Sequence, residues 1–271
     1  MAASVIILGL AISFVFSSFI TLPIKKVNRN IEKLKSGKDV EELKIISRDE
    51  LGELTKNFNE LAQIVMKQKQ GFKNYASDLE RTFIDTLRIL IAAIDSRDDY
   101  TFGHSTRVAK MSLLIGRRLN LDTQSLKKLQ MTCLFHDVGK IRLSDNILNK
   151  NSFLERAERI QMNKHPEHGA EILRLADSLR QYIPSVLHHH EWYDGTGYPA
   201  GIKGKQIPVF SAIISLTDAY DAMTSKRPYR DNMSKEEAVE ELQRCSGTQF
   251  DPHLTDIFIS ILNGLWREEE S

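Results

Sequence analysis

Residues 2–22 contain no Asp, Glu, Lys, Arg or His, and the run includes Val5, Ile6, Ile7, Leu8, Leu10, Ile12, Phe14, Val15, Phe16, Phe19 and Ile20. About 20 such residues in a helix span roughly 30 Å, the thickness of a bilayer's hydrocarbon core. A cleaved leader would carry a basic segment ahead of the apolar run and a small-residue cleavage site behind it, and neither is evident. Residues 1–22 therefore read as a retained transmembrane helix. Lys25, Lys26, Arg29, Lys33 and Lys35 follow at once, which by the positive-inside rule leaves everything downstream in the cytoplasm. Met1 leads straight into this helix, so an input arrives through the membrane or a partner, unless the natural chain starts earlier.

The remainder is long enough for one or two domains with a well-buried core. Lys and Arg number 37 against 36 Asp and Glu, a formal charge of +1, so no basic field marks a binder of polymeric nucleic acid. Cys133 and Cys245 lie far apart with no metal-knuckle spacing, as reduced thiols do.

Between Pro23 and Met66 there are two short helical patterns. Val27, Ile31 and Leu34 form one stripe, Ser36-Gly37-Lys38 ends it, and an extended connector carries Leu43, Ile45 and Ile46. The second stripe, Leu51, Leu54, Phe58, Leu61 and Val65, steps by three and four and runs on through Gln68, Phe72, Tyr75 and Leu79. So narrow a seam buries little alone, and a parallel homodimer is the physical expectation. The proline after the membrane helix, the Gly-containing connector and Asp49-Glu50-Leu51-Gly52 resemble a HAMP signalling domain, placed at 23–68, with 69–89 as a coiled-coil connector. A generic coiled-coil linker is the plainer alternative.

From Asp78 onward amphipathic helices with polar breaks predict an all-α domain, with helices near 79–96, 104–119, 123–137, 155–176, 180–190, 207–225, 234–245 and 252–264. All eight histidines fall in this half. The pair His136-Asp137 places an imidazole beside a carboxylate at the end of an apolar segment. Imidazole suits Fe, Mn, Ni or Zn, and a carboxylate with two oxygens can bridge two metals. Two cations about 3.5–4 Å apart can bind phosphoryl oxygens and activate a water for in-line displacement. An isolated His-Asp pair is common by chance; its company here is Gly103-His104-Ser105, Lys164-His165-Pro166, His188-His189-His190-Glu191, Asp194-Gly195-Thr196-Gly197-Tyr198-Pro199 and Asp218.

With His136-Asp137-Val138-Gly139-Lys140, Arg227-Pro228-Tyr229-Arg230 and Gly247-Thr248-Gln249-Phe250-Asp251-Pro252 in the same order, the segment 90–271 resembles an HD-GYP catalytic domain. The resemblance implies a bacterial phosphodiesterase at the inner membrane that hydrolyses cyclic di-GMP to linear pGpG or GMP. It implies metal ligands at His104, His136, Asp137, His165, His189, His190 and Asp218, with Asp137 bridging two divalent ions, Fe or Mn. Lys140 is a candidate for binding a phosphate oxygen or protonating the leaving 3′ oxygen. Arg227 and Arg230 can offer guanidinium forks to phosphates, and Gly197, Tyr198 and Pro199 shape one wall of the substrate cleft. His188 and Glu191 read as supports behind the ligands, the resemblance places no metal on His168, and His253 reads as structural.

Tyr100 stands where some members of the family carry a glutamate for a third metal, which favours two. Arg142 and Ser144 replace a usual glycine and proline, which bears on substrate-loop geometry. Two other functions share the pattern: a degenerate receptor that binds nucleotide or protein without hydrolysis, and a hydrolase of another cyclic dinucleotide.

Overall fold

The computed structural model describes residues 2–95, 103–150, 152–225 and 232–269. The chain divides into two compact units, residues 1–83 and 84–271. Every element longer than an isolated bridge among the described residues is helical.

In the first unit, α1 (Ala2–Phe16) passes through one π-helical turn, Ser17–Thr21, into α2 (Leu22–Lys35). The stretch Ser4–Lys35 is long and apolar enough to cross a membrane, and its apolar window is not buried by the rest of the chain. Ser36 ends α2, and a connector without regular structure leads to α3 (Glu50–Asp95). Asp49 starts α3: its Oδ1 accepts the Leu51 and Gly52 amides at 3.0 and 3.3 Å and the Ser47 hydroxyl, satisfying donors that a helix start leaves unpaired. Asn59 ties the connector down, accepting the Leu43 amide at 3.0 Å and donating to the Leu43 carbonyl at 2.8 Å. Val27, Phe58 and Ala62 form a small core with Ile31, Leu34, Val40 and Leu43 against it.

The heptad stripe divides in an unexpected way. Phe58 turns inward, whereas Leu54 and Leu61 stay exposed. With Val27, Ile31, Leu34 and Val65 they line an open apolar groove of about 520 Å³. Phe72, Tyr75 and Leu79 are also exposed.

The second unit takes the last turns of α3 and adds α4 (His104–Arg118), α5 (Thr123–Phe135), a 3₁₀ segment Val138–Arg142, α6 (Asp145–Leu148), α7 (Arg156–Met162), α8 (His165–Leu173), a 3₁₀ segment Asp177–Tyr182, α9 (Ile183–Leu187), α10 (Val209–Thr224), α11 (Lys235–Arg244) and α12 (Pro252–Glu269). Val108 and Ile115 of α4, Leu129 of α5, Ile213 and Leu216 of α10, Leu242 of α11 and Phe258 of α12 are fully buried in one core. Each such side chain contributes about 1.5–3 kcal/mol. Leu134, Phe135, Leu173 and Val186 make a second core with Ile91 of α3. A hydrogen bond between Ser112 and Thr217 at 2.8 Å pins α4 to α10.

Three expected helices are interrupted. The span 155–176 splits at Asn163 and Lys164, and 180–190 becomes a 3₁₀ segment followed by α9. Pro166 and Pro184 sit in the first turns of α8 and α9, where a missing N–H costs nothing and continuation of the preceding helix is blocked. The span 123–137 stops at Phe135. All three interruptions fall beside histidines of the cluster.

Candidate metal centre

His136 caps the C-terminus of α5 and Asp137 follows it in a non-helical conformation. His104 is the first residue of α4 and His165 the first of α8. His189 and His190 lie in the turn after α9, and Asp218 comes from α10. Helix ends thus supply most of the cluster. Backbone turns there can aim a side chain inward that a continuous helix would direct along its own face.

The two oxygens of Asp137 face different groups. Oδ2 lies 3.4 Å from His136 Nε2 and 4.0 Å from His104 Nε2. Oδ1 lies 3.2 Å from His165 Nε2 and 3.9 Å from His189 Nε2. Asp218 Oδ1 reaches His104 Nε2 at 3.1 Å. Ligand atoms of Asp137, His165, His189 and His190 all lie within 4.8 Å of one another, as do those of His104, His136 and Asp137. Asp137 alone belongs to both groups.

Tautomers show what the cluster suits. Nδ1 of His136, His165 and His189 stands 2.7, 2.8 and 2.6 Å from the carbonyls of Cys133, Met162 and Val186, each three residues back. A carbonyl only accepts, so each Nδ1 carries a proton and each ring turns its Nε2 into the site. His136 Nε2 is buried without a partner, and His165 Nε2 and His189 Nε2 stand 3.2 Å apart. Buried imidazole nitrogens gathered around one carboxylate are the donor set a divalent cation takes. The mixed imidazole and carboxylate donors fit Fe or Mn as well as Zn.

Electrostatics separate the two groups. Burial, then the neighbouring imidazoles, hold His189 well below the usual histidine range, and burial with His165 beside it brings His190 down to about 3. Burial works against protonated His104 too, but its hydrogen bonds to Asp218 and Asp221 outweigh it and push the ring up to about 10. Burial opposes ionisation of Asp137, yet Lys140 and His136 hold its carboxyl well below the usual range.

Lys140 lies in the 3₁₀ segment and not one turn along a continued helix, yet its Nζ is 2.7 Å from Asp137 Oδ2. Gly139 brings that segment close to α8, because a Cβ there would overlap the His165 carbonyl. Tyr198 lays its ring on His190, centroids 4.9 Å apart, and its amide donates to the His190 carbonyl at 3.1 Å. Gly197 permits this fold-back, since a Cβ would strike the Trp192 amide nitrogen and the His190 carbonyl. Pro199 follows a cis peptide bond. Glu191 Oε1 accepts the Ala200 amide at 2.7 Å and faces His188 Nδ1 at 3.3 Å, tethering this loop. His168 and His253 take no part in the ligand groups. Arg227, Arg230 and Tyr100 lie outside the described residues.

Sequence reasoning missed Asp221 and Arg107. Asp221 Oδ2 is 2.7 Å from His104 Nδ1, and Arg107 donates to both Asp221 oxygens, at 2.6 and 2.9 Å. The only signal was spacing: each sits three residues after a cluster residue on the same helix.

Comparison with known proteins places the chain in a family. A HAMP domain matches residues 15–64, so an apolar helix leads into a HAMP domain, as in a membrane-anchored protein. A cyclic di-GMP phosphodiesterase of Thermotoga maritima is 31% identical over 203 residues, covering 73% of this chain and 55% of the relative. A 3′3′-cGAMP-specific phosphodiesterase of Vibrio cholerae is 33% identical over 188 residues, covering 69% of this chain and 36% of the relative. The chain thus spans about half or less of these relatives' length. The crystal structure of a cyclic GMP-AMP specific phosphodiesterase of V. cholerae shares the fold, with a TM-score of 0.52 at 24% identity over 66% of this chain and 48% of that one. The HD domain profile matches residues 88–254, more than half of the chain, and the chain belongs to the HD domain family.

Proposed function

We propose that this chain is a membrane-anchored phosphodiesterase of cyclic dinucleotides, with cyclic di-GMP as substrate and linear pGpG or GMP as product. The observation that carries this reading is the Asp137 carboxylate, whose two oxygens face two separate sets of imidazole nitrogens. That arrangement suits two divalent cations sharing one carboxylate: His104, His136 and Asp218 on one side, His165, His189 and His190 on the other. Two such cations supply charge for the phosphoryl oxygens and acidify a water for in-line attack.

The chain's own groups do the rest. Lys140 donates toward Asp137 Oδ2 at 2.7 Å, which supports its role as the group that binds a phosphate oxygen or protonates the leaving 3′ oxygen. Tyr198, stacked on His190, forms one wall of the cleft, and Gly197 and Pro199 keep it folded back. Arg227 and Arg230 follow α10 in sequence and serve as phosphate forks.

The anchor is a single-pass helix in the inner membrane with the catalytic unit in the cytoplasm. The exposed Leu54 and Leu61 and the apolar groove beside them support a homodimer through the HAMP segment, which relays packing changes to the catalytic unit. A second substrate reading, 3′3′-cGAMP, is favoured by the relatives from V. cholerae. The full chain in detergent micelles, reduced and loaded with Mn²⁺ or Fe²⁺, is to be given both dinucleotides and followed by chromatography. Cyclic di-GMP turnover is expected. Metal-loaded protein that leaves both intact would return the reading to a non-catalytic receptor.

A further inference from the structure

His136, His165 and His189 each have an acceptor for Nδ1 in the carbonyl three residues earlier. His104 opens α4, and its Nδ1 meets a carboxylate instead, that of Asp221. Asp218 and Asp221 are one turn apart on α10, and they bracket the His104 ring, with Asp218 at Nε2 and Asp221 at Nδ1. Asp221 is itself buried and clamped. Arg107 donates through Nε to Oδ1 and through Nη2 to Oδ2, and the same Nη2 reaches Ser225 Oγ at 3.3 Å. A carboxylate that receives three charged or polar donors stays ionised and does not rotate.

We infer that Asp221, held by Arg107, is a positioning residue that makes the His104 side of the cluster the tighter cation position. This inference rests on the proposed two-cation site. An ionised carboxylate is a stronger acceptor for an imidazole N–H than a main-chain carbonyl, so it raises the basicity of the opposite nitrogen and fixes its direction. His104 has that support, whereas His136, His165 and His189 have main-chain carbonyls. His165 and His189, on the other side, are oriented by neutral carbonyls, so the pair acts on the His104 position. Arg107 acts through Asp221, both of whose oxygens it holds.

The test is Mn²⁺ binding to the full chain in detergent micelles after chelator treatment, read by titration calorimetry and by electron paramagnetic resonance of one-ion and coupled two-ion forms. Wild type is expected to bind in a tight and a weaker step. Asp221→Asn keeps the shape but puts an amide against the Arg107 donors, and should weaken the tight step about 10–100-fold while sparing the other. Arg107→Ala should weaken the same step, and the double variant should be no worse than Asp221→Asn alone. If Asp221→Asn does not fold, Arg107→Lys keeps the charge, loses the fork and should give an intermediate weakening. Two wild-type steps in these variants, or equal loss of both steps, would overturn the inference. Weakening of one step in a chain that hydrolyses no dinucleotide would uphold it and remove the phosphodiesterase reading. Turnover with unaltered steps would do the reverse.

Discussion

His165 and His189 face each other Nε2 to Nε2 at 3.2 Å, and each has committed its Nδ1–H to a main-chain carbonyl. With Asp137 Oδ1 3.2 Å from His165 Nε2, these buried nitrogens and the carboxylate form a set that one divalent cation can share. Cation loading should therefore stabilise the protein. At about 100 times the dissociation constant one site adds about 2.7 kcal/mol, which raises Tm by roughly 5–10 °C for a unit of this size. Thermal melts of the full chain with Mn²⁺ and with chelator measure the difference. An unchanged melt would mean that the imidazoles serve packing alone.

The same crowding sets a pH dependence in the metal-free protein. Burial and neighbouring imidazoles depress His189 and His190, the latter to about 3, while in the unfolded chain both titrate near the ordinary value of 6.5. Between those values the unfolded state binds protons that the folded state refuses, so stability is present above about 6.5 and lost as pH falls through the window. His104 works in the opposite sense. Its ring is pushed up to about 10, so its contribution is complete below about 6.5 and fades as pH rises toward 10. Chelated protein should melt at steadily lower temperature from pH 6.5 down to pH 4, and His190→Gln should flatten that limb. A slope that His190→Gln leaves intact would assign acid sensitivity elsewhere.

Lys140 and Asp137 can be separated by what each variant loses. Asp137 touches both ligand groups, so Asp137→Ala should lose both ions and all measurable turnover. Lys140 pairs with Asp137 Oδ2 without ligand chemistry of its own, because an ammonium has no lone pair. Lys140→Ala should keep both ions and lower kcat about 10²–10⁴-fold. Metal analysis beside single-turnover rates distinguishes the two, and metal-depleted Lys140→Ala would make the lysine a structural partner of Asp137.

The helical architecture was readable because it follows from local pattern, and the candidate ligand set came from the family resemblance of the ordered motifs. The apolar run and the three-and-four steps of α3 are contiguous signals, while His136-Asp137, His165, His189-His190 and Asp218 stand in several separate motifs whose order carries the resemblance. The breaks before Pro166 and after Phe135 were harder to see. Their flanks are amphipathic, and the gain from breaking is the inward aim of His165 and Asp137, which only the assembled site reveals. Carbonyls of Cys133, Met162 and Val186 orient the imidazoles, and a main-chain acceptor has no residue type to read. Asp221 and Arg107 are 114 residues apart, so nothing local joins them.

Gly139 tests whether close approach positions the bridging carboxylate. Any Cβ at this residue overlaps the His165 carbonyl, and backbone atoms cannot swing aside as a side-chain tip does. Gly139→Ala should cost about 1–3 kcal/mol by overpacking and shift Asp137 away from His165, lowering metal affinity and turnover together. A variant that loses stability but keeps both ions at wild-type affinity would show that the approach serves packing only.

Phe58 and Leu61 lie on the same heptad stripe, but they answer different questions. Phe58 is buried against Val27 and Ala62 within one chain, so Phe58→Asp would damage the first unit whether or not it dimerises. Leu61 is 55% exposed and lines the open apolar groove with Leu54 and Val65. In a single chain Leu61→Asp places a carboxylate in solvent at little cost. In a parallel dimer it buries a carboxylate beside its symmetry mate, a like-charge contact in an apolar seam. Sedimentation of the full chain in micelles should therefore show dimer for wild type and monomer for Leu61→Asp, with the thermal melt of the second unit unchanged. Wild-type sedimentation of Leu61→Asp would move the dimer contact off this groove, and the relay from HAMP segment to catalytic unit would then need a different surface.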